Sequence, residues 1–527
     1  MTLAQPQKTR IDALFAEWGR KDRPGAVFAI VKDGEIAHRG AFGMASIELG
    51  VPNGPGTVFR IASVTKHFVC LAVVLLAREG RLKIDDPIRK HLPDLPKAWP
   101  RIVIRDLMRN ASGLRDHFTL AFLGGSTLAH EWTDEALHAL ILRQRGVNFA
   151  PNDRFLYCNT NFRLLTRIVE AVAGKPLEDV LDARIFRPLG MTKTMLLRDR
   201  ATLVPDFATP HLRRADGGIV RAAFATAVSG DGGLVSCLDD LLRWNWAFDN
   251  AEPKLAGAIR ELYSLTPFNN GAPTAYGFGL ALERYRGLMA VGHGGLLPGF
   301  RTEFLRIPQR RLAIVVIANV DAIDPYATAR QIADVLLEGD KEVEPLVATR
   351  PKAAWAGRWA DATNGTVVDL KIEGGVLFAD MWGGWTRLRP LPGGRWKALR
   401  GVFDLTLRFR DDGIEADLGA GTVHRLTRVG RIKTKTEAYV GQWRSDELDA
   451  NYAIAKDRQG LFASVRGPAG SAGPWRLEPV AADFFLMRGA AGPFPFTATL
   501  RFIRKGAKAN GFTASAARAR NFLFRRA

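Results

Sequence analysis

The stretch "RIASVTKHFVCLAVVLLAREG", residues 60–80, passes from a short polar turn into an almost unbroken apolar run and stops at a glycine. A helix that is apolar all round is buried all round, so this run predicts the central helix of a domain core, closed by Gly80. Ser63 and Lys66 stand three residues apart at its start, on one face and one turn from each other. At a helix N-terminus the unpaired N–H groups and the dipole favour negative charge. A serine there loses its proton more easily, and an oxyanion beside its own N–H is stabilised. A lysine accepts that proton only if its pKa is lowered, and burial among apolar side chains lowers it. The same residues also read as a helix-capping serine beside a surface lysine, because serine is a preferred N-cap. The spacing alone does not decide between the two.

Upstream, "GAVFAIVKDGEIAHRGAFGMAS" (residues 25–46) reads as a hairpin, with apolar runs on both sides of Asp33-Gly34, a favoured tight-turn pair. The N-terminal segment reads as an amphipathic helix with Ile11, Leu14, Phe15 and Trp18 on one face. Downstream, "NFRLLTRIVEAVAG" (161–174) reads as a second glycine-closed helix. "LAIVVIAN" (312–319) reads as an apolar strand and "YATARQIADVLLEG" (326–339) as a final helix. Strands at both ends with helices between predict an α+β domain over residues 1–340, its terminal strands paired in one antiparallel sheet.

Beyond that point helical periodicity gives way to short alternating strands and glycine turns. The region also repeats itself: "AWAGRW" at 354–359 returns as "AYVGQW" at 438–443, and "LFA" at 377–379 returns at 461–463, both 84 residues on. This predicts two copies of one small antiparallel barrel or sandwich, over 347–430 and 436–527, with the shared tryptophans plugging the ends.

Composition bounds the function classes. The chain has 527 residues, 47% of them hydrophobic, enough for several cores. No apolar run of ~18 residues is present, so no transmembrane helix and no membrane partner are expected. The N-terminus lacks a basic segment followed by an apolar one, so a cytoplasmic location is expected. The three cysteines, Cys70, Cys158 and Cys237, are too few and too scattered for a disulfide framework or a zinc site. The net charge is +20, and residues 346–527 carry +14 of it, with 30 Lys and Arg against 16 Asp and Glu. These charges are scattered over alternating strands and no groove-entering motif accompanies them, so no nucleic-acid partner is expected.

Two further segments bear on the chemistry. "YCN" places the Tyr157 phenol and the Asn159 amide two residues apart on a loop that leads into the second helix. The bland reading is a buried tyrosine with a satisfied hydroxyl. "VGHGGLLPGF" (291–300) sets His293 before Gly294, Gly295 and Leu296, and glycines in a strand let a substrate backbone approach closely. The bland reading of His293 is a turn or core histidine.

Taken in order, Ser-x-x-Lys, Tyr-x-Asn and His-x-Gly resemble the penicillin-recognising serine hydrolases. "NASGLRD" (110–116) and "SGDGGLVSCLDDLLRW" (229–244) also match that family, and the resemblance covers about residues 8–340. "AYGFGL", "YCNTNFRLL" and "GQWRSDELDA" are similar to segments of members that release N-terminal D-amino acids and carry two small barrels after the catalytic domain. The resemblance implies acyl transfer without metal or cofactor. Ser63 is the nucleophile, and Lys66 and Tyr157 shuttle its proton, with either as the base. The N–H groups of Ser63 and Leu296 form the oxyanion hole, and Asn159 holds the substrate or the lysine. His293 contacts Tyr157 or the substrate, with Gly294 and Gly295 lining the strand beside it. Many members have lysine where His293 stands. A mostly neutral histidine anchors a carboxylate poorly, which directs specificity away from C-terminal carboxylates at that position. The implied substrates are small peptides and amino-acid amides or esters with a free D-amino group. The alternative is a promiscuous esterase, amidase or β-lactamase-like hydrolase that needs no such group. The resemblance also places a loop of the last barrel against the site. The matching stretch is "MRGAAGPFP" (487–495), which makes Arg488 a substrate-side candidate where an acid would suit an ammonium; the other reading is a surface arginine that points to solvent. A homodimer is left open.

Overall fold

The computed structural model describes residues 3–126, 130–381, 383–398, 405–419, 423–432, 436–468, 470–491 and 494–527. The sheet of the first domain is built from β1 (Ala26–Lys32), β2 (Glu35–Phe42), β3 (Ala281–Tyr285), β4 (Leu288–Leu297), β5 (Phe300–Ile307) and β6 (Leu312–Ala318). Its order is β3-β4-β5-β6-β1-β2, antiparallel throughout. β1 pairs with β6 from Ala26↔Ala318 to Lys32↔Leu312, so the two ends of the domain meet at the sheet centre. Asp33 and Gly34 both have positive φ, at 56° and 90°, as a two-residue turn between right-twisted strands requires.

β1 shows why its sequence is apolar without alternation. Successive side chains point to opposite faces. Val27 and Ala29 pack with α2 (Thr65–Arg78) and α4 (Asn159–Ala173), while Phe28 and Ile30 pack with α1 (Gln5–Ala13) and α5 (Pro325–Leu336). The sheet is covered on both faces, so both sets of side chains are apolar. Ile11, Phe15 and Trp18 are buried as expected, but Leu14 is 36% exposed, because α1 ends at Ala13 and the chain turns before Trp18. α2 is buried from Thr65 to Leu76 and packs through Phe68, Leu71 and Leu75 into the core that holds Leu165 and Ile168 of α4. Each fully buried leucine contributes about 1.5–3 kcal/mol. Gly174 closes α4 in the left-handed conformation, φ 64°.

Two closed eight-stranded barrels follow, from Gly357–Asp361 to Val423–Arg428 and from Gly441–Ser445 to Ala519–Arg526. In each the first strand pairs with the last, through Trp359↔Arg428 and Trp443↔Arg526. The 84-residue offset therefore maps strand onto strand. Trp443 is fully buried, whereas Trp359 is half-buried. The core of the first barrel is its own, built on Leu370, Leu377, Leu407 and Leu426. The core of the second is continuous with the catalytic domain: Tyr452, Phe512 and Phe524 share a cluster with Leu120 and Leu123 of α3 (His117–Leu123), with Trp132 and with Leu137. Among the described residues no helix is long and apolar enough to cross a membrane. All three cysteines are buried and unpaired.

Candidate active site

Ser63 does not lie on α2 itself. It occupies the 3-10 turn Ala62–Val64 immediately before it. Ala62 is left-handed at φ 49°, a conformation that costs a residue with a Cβ on the order of 1 kcal/mol and that recurs at functional turns. Thr65 secures the turn by donating from Oγ1 to the Ala62 carbonyl at 2.6 Å. β4 lies directly against it: a Cβ on Gly295 would stand 2.2 Å from the Ile61 carbonyl oxygen. That close approach is why a glycine precedes Leu296. Gly294 is less constrained, its would-be Cβ meeting Glu303 Oε2 at 3.0 Å.

Lys66, on the first turn of α2, is fully buried. Its Nζ donates to Ser63 Oγ at 3.0 Å, to Asn159 Oδ1 at 3.0 Å and to the Asp231 carbonyl. The rings of Tyr157 and Phe162 lie 4.9 and 5.0 Å from it. Burial pulls its pKa down to about 7, against the attraction of Asp231 and Asp116 and with the help of the Arg518 charge. The lysine is therefore poised to exchange a proton at neutral pH.

Asn159 is turned toward the lysine. Its side-chain amide donates to Asp116 Oδ2 at 2.9 Å and its backbone N–H to the same oxygen at 2.7 Å, which fixes the carbonyl end on Nζ. Asp116 caps α3 by accepting from Thr119 N at 3.1 Å. Burial opposes its charge, but Arg518, His117 and the amides of Asn159 and Thr119 outweigh it and hold the carboxyl below its usual range. Asp231 is also buried and ionised. Its desolvation is outweighed by Arg163, His117 and Lys66, with His117 Nε2 at 3.3 Å. Tyr157 is buried, and its hydroxyl makes no hydrogen bond of good geometry among the described residues. Burial pushes that hydroxyl well above the ordinary phenol range, with nearby Ser63 pulling the other way, so it stays protonated.

His293 faces this group from β4, its ring 5.8 Å from that of Tyr157. Its Nδ1 lies 2.6 Å from the Gly294 carbonyl and its Nε2 2.9 Å from Tyr276 Oη. A carbonyl only accepts, so Nδ1 carries the proton and Nε2 accepts from the tyrosine. Burial first, and the Lys66 charge second, lower its pKa to about 3, leaving the ring neutral.

The second barrel enters the site, though not through residues 487–495. Those residues belong largely to two paired strands, Phe484–Ala491 and Phe494–Lys505, while Gly492 and Pro493 lie outside the described residues. Arg488 points to the first barrel, where its guanidinium meets Asp369 and, at 3.2 Å, Asp380, while Glu478 of its own barrel lies 3.5 Å away. This is a bridge between barrels, and the three acids account for the cation. The turn between the last two strands reaches the catalytic groups instead. The Arg518 carbonyl accepts from Asp116 N at 3.0 Å, and its guanidinium lies 3.6 Å from Asp116 Oδ2 and 5.5 Å from the Tyr157 ring.

The model of the family described as "Beta-lactamase" matches residues 11–338 of this chain. The chain belongs to the beta-lactamase family. As a beta-lactamase-family protein it is similar to the D-aminopeptidase of Brucella anthropi, at 29% identity over 88% of this chain and 87% of that one. The octameric penicillin-binding protein homologue of Pyrococcus abyssi has a similar fold, with 23% identity, a TM-score of 0.57, and coverage of 80% of this chain and 99% of that one. The D-amino acid amidase of Ochrobactrum anthropi SV3, solved with D-phenylalanine, is 25% identical with a TM-score of 0.53, over 64% of this chain and 99% of that one. The protein is a serine hydrolase of the beta-lactamase fold.

Four residues of this beta-lactamase-family site were not singled out from sequence. Asp116 and Asp231 lie in segments noted only as matching, and nothing local marks either as a buried anion. Tyr276 belongs to "AYGFGL", whose second glycine, Gly279, backs onto Lys66: a Cβ there would stand 2.5 Å from the Lys66 carbonyl oxygen. A glycine pair beside a tyrosine was the available signal. Arg518 lies in a basic run that reads as a solvated surface.

Proposed function

We propose that this protein releases N-terminal D-amino acids from short peptides, amides or esters through an acyl-enzyme on Ser63. The observation that carries the reading is the 3.0 Å contact between Lys66 Nζ and Ser63 Oγ, in a site where burial brings the lysine to about 7. Neutral Lys66 takes the Ser63 proton as Oγ attacks the scissile carbonyl. The resulting oxyanion sits between the N–H groups of Ser63 and Leu296, which the close packing of Gly295 on Ile61 holds side by side. Tyr157, kept protonated by burial, gives its proton to the departing amine and recovers one from charged Lys66. Water, activated in the same way, then releases the acid. Asn159 and the Asp231 carbonyl hold Lys66 in line throughout, and neutral His293, bonded to Tyr276 with its ring 5.8 Å from that of Tyr157, draws no carboxylate to itself.

Preference for a D-residue with a free amine rests on the likeness to D-aminopeptidase, which covers 88% of this chain. One observation favours a second reading. Arg518 puts a cation near Tyr157, which suits an esterase or amidase that needs no substrate ammonium. D-Ala-p-nitroanilide, its L isomer and its N-acetyl form separate the two. Turnover of the free D form alone, lost by at least ~10³-fold in Ser63→Ala, establishes the aminopeptidase. Comparable turnover of the acetylated form moves the protein to the second class.

A further inference from the structure

A cavity of about 230 Å³ lies between the two barrels, with Asn148 of the catalytic domain at its edge. One wall is the outward face of two paired strands of the second barrel, Phe494–Lys505 and Lys508–Ala516. Alternate residues of a strand share a face. Ala498, Leu500, Phe502, Phe512 and Ala514 belong to the barrel core. Thr497, Thr499 and Arg501 therefore point outward, and the register sets Thr513 beside Arg501 and Ser515 beside Thr499. Across the gap stand Thr363 and Thr366 of the first barrel. The barrels touch directly alongside, where Val367, Phe484 and Leu486 line the cavity and also belong to the apolar cluster that joins them. The hydroxyl-bearing rows are left facing open space.

Among the described residues the lining holds two guanidiniums, Arg501 and Arg520, and no carboxylate. Arg501 donates to the Ala362 and Thr363 carbonyls. The Arg520 backbone is fixed, its N–H donating to Asn148 Oδ1 at 2.9 Å. Its side chain is partly buried, and among the described residues it has neither a hydrogen bond nor an ion pair. The charge it meets is a like one, Arg154, which adds to burial in pulling its pKa down. Asp361, two residues before Thr363, is already engaged: it faces His424 at 3.5 Å and accepts from Thr363 N at 2.9 Å and Asn364 N at 3.2 Å. A partly buried guanidinium whose only charged neighbour is another cation carries a desolvation cost that an anion offsets.

Arg518, on the same short segment, turns the other way, to Asp116 and Tyr157. The segment therefore stands between the cavity and Ser63, and an occupant of the cavity is not a substrate held at the serine. Drug-sized ligands fill about 300–1,000 Å³, so this volume suits a smaller molecule. An acidic group on it meets Arg520. Hydroxyls on it match the threonine and serine rows, whose own hydroxyls both donate and accept. We propose that this cavity is a separate binding site for a small polyhydroxylated anion, of the sugar-acid or sugar-phosphate class, held by Arg520 and Arg501 beside the hydroxyl-bearing strands. The site stands whether or not the aminopeptidase reading does.

The test is calorimetry on the full chain with four probes: gluconate, glucose 6-phosphate, glucose and inorganic phosphate. At least one of the two hydroxylated anions is expected to bind ~10-fold or more tightly than both glucose and phosphate. The tighter of the two assigns the acidic group, carboxylate or phosphate. Arg520→Met should weaken that ligand by ~10-fold or more, and Thr513→Val, on a separate strand, by about threefold. Ser63→Ala should bind it as the wild type does. Glucose binding as tightly as the anions removes the role of the arginines and overturns the proposal. Phosphate binding as tightly as the hydroxylated anions removes the role of the hydroxyl rows and overturns it too. So does the absence of binding by any probe at millimolar concentration, or an affinity that survives both Arg520→Met and Thr513→Val. A loss of binding in Ser63→Ala would move the ligand to the reaction centre and overturn the separate site.

Discussion

The two barrels are one design put to different use. Both have eight strands, and both close through a tryptophan-bearing first strand. The first keeps its central core to itself and meets its neighbours through charged side chains, as in Arg358–Glu478 at 2.6 Å and Arg389 over the Tyr285 ring at 4.6 Å, and through a small apolar cluster of Ala360 and Val367 with Val480, Phe484 and Leu486 of the second barrel. The second extends its core into the catalytic domain. Tyr452 Oη donates to the Leu123 carbonyl at 2.8 Å, Arg115 pairs with Glu447 at 2.6 Å in a largely buried contact, and Leu120, Trp132 and Leu137 complete the apolar cluster. A repeat in sequence therefore fixes what each copy folds into, while the outward-facing residues decide what it joins.

Removing each connection tests that difference. The largest effect is expected from deleting residues 436–527. It would expose Leu120, Leu123, Trp132 and Leu137 together, and the remainder should aggregate rather than open its site to bulkier substrates. A soluble truncation with a cooperative thermal transition would break the comparison. Next come the paired tryptophans. Trp443→Ala should cost about 3–5 kcal/mol in chemical denaturation, and half-buried Trp359→Ala about half of that or less. Equal losses would mean the barrels are equivalent after all. Tyr452→Phe removes one buried hydrogen bond and leaves the Leu123 carbonyl unpaired, for about 1–2 kcal/mol.

The arginines sharpen the contrast further. Neutral Lys66 is the active form, so kcat/KM should rise as pH climbs through about 7. Arg518 helps keep Lys66 neutral, and Arg518→Gln should raise the lysine pKa and move that limb to higher pH. Arg488→Gln, which loosens only barrel from barrel, should leave the limb where it is. A limb that moves with Arg488 and not with Arg518 would reverse the assignment of the two.

How much of this is legible in sequence depends on how local each feature is. Ser63 and Lys66 are three residues apart, and their contact follows from helical geometry once the serine lies in the turn before the helix. The apolar β1 and its pairing with β6 follow from pattern and chain order. The 84-residue repeat is visible because both copies kept their first strand. Arg488 misleads because a glycine- and proline-rich stretch reads as a loop, while barrel register makes most of it two strands of a hairpin. Arg518 is silent because its partner, Asp116, is about 400 residues away in the chain and nothing local distinguishes an inward arginine from a solvated one.

Asn148 gives the site a mechanical property. One amide group holds Leu114, two residues before Asp116, and the barrel turn: it donates to the Leu114 and Arg518 carbonyls and accepts from Arg520 N. The Arg518 carbonyl in turn receives the Asp116 N–H. A tilt of the barrel by a few tenths of an ångström would be registered at Asp116 and, through Asn159, at the lysine. Molecules whose barrels settle at slightly different angles should turn over at different steady rates, which single-enzyme recordings would resolve as a spread that narrows when Asn148 is replaced.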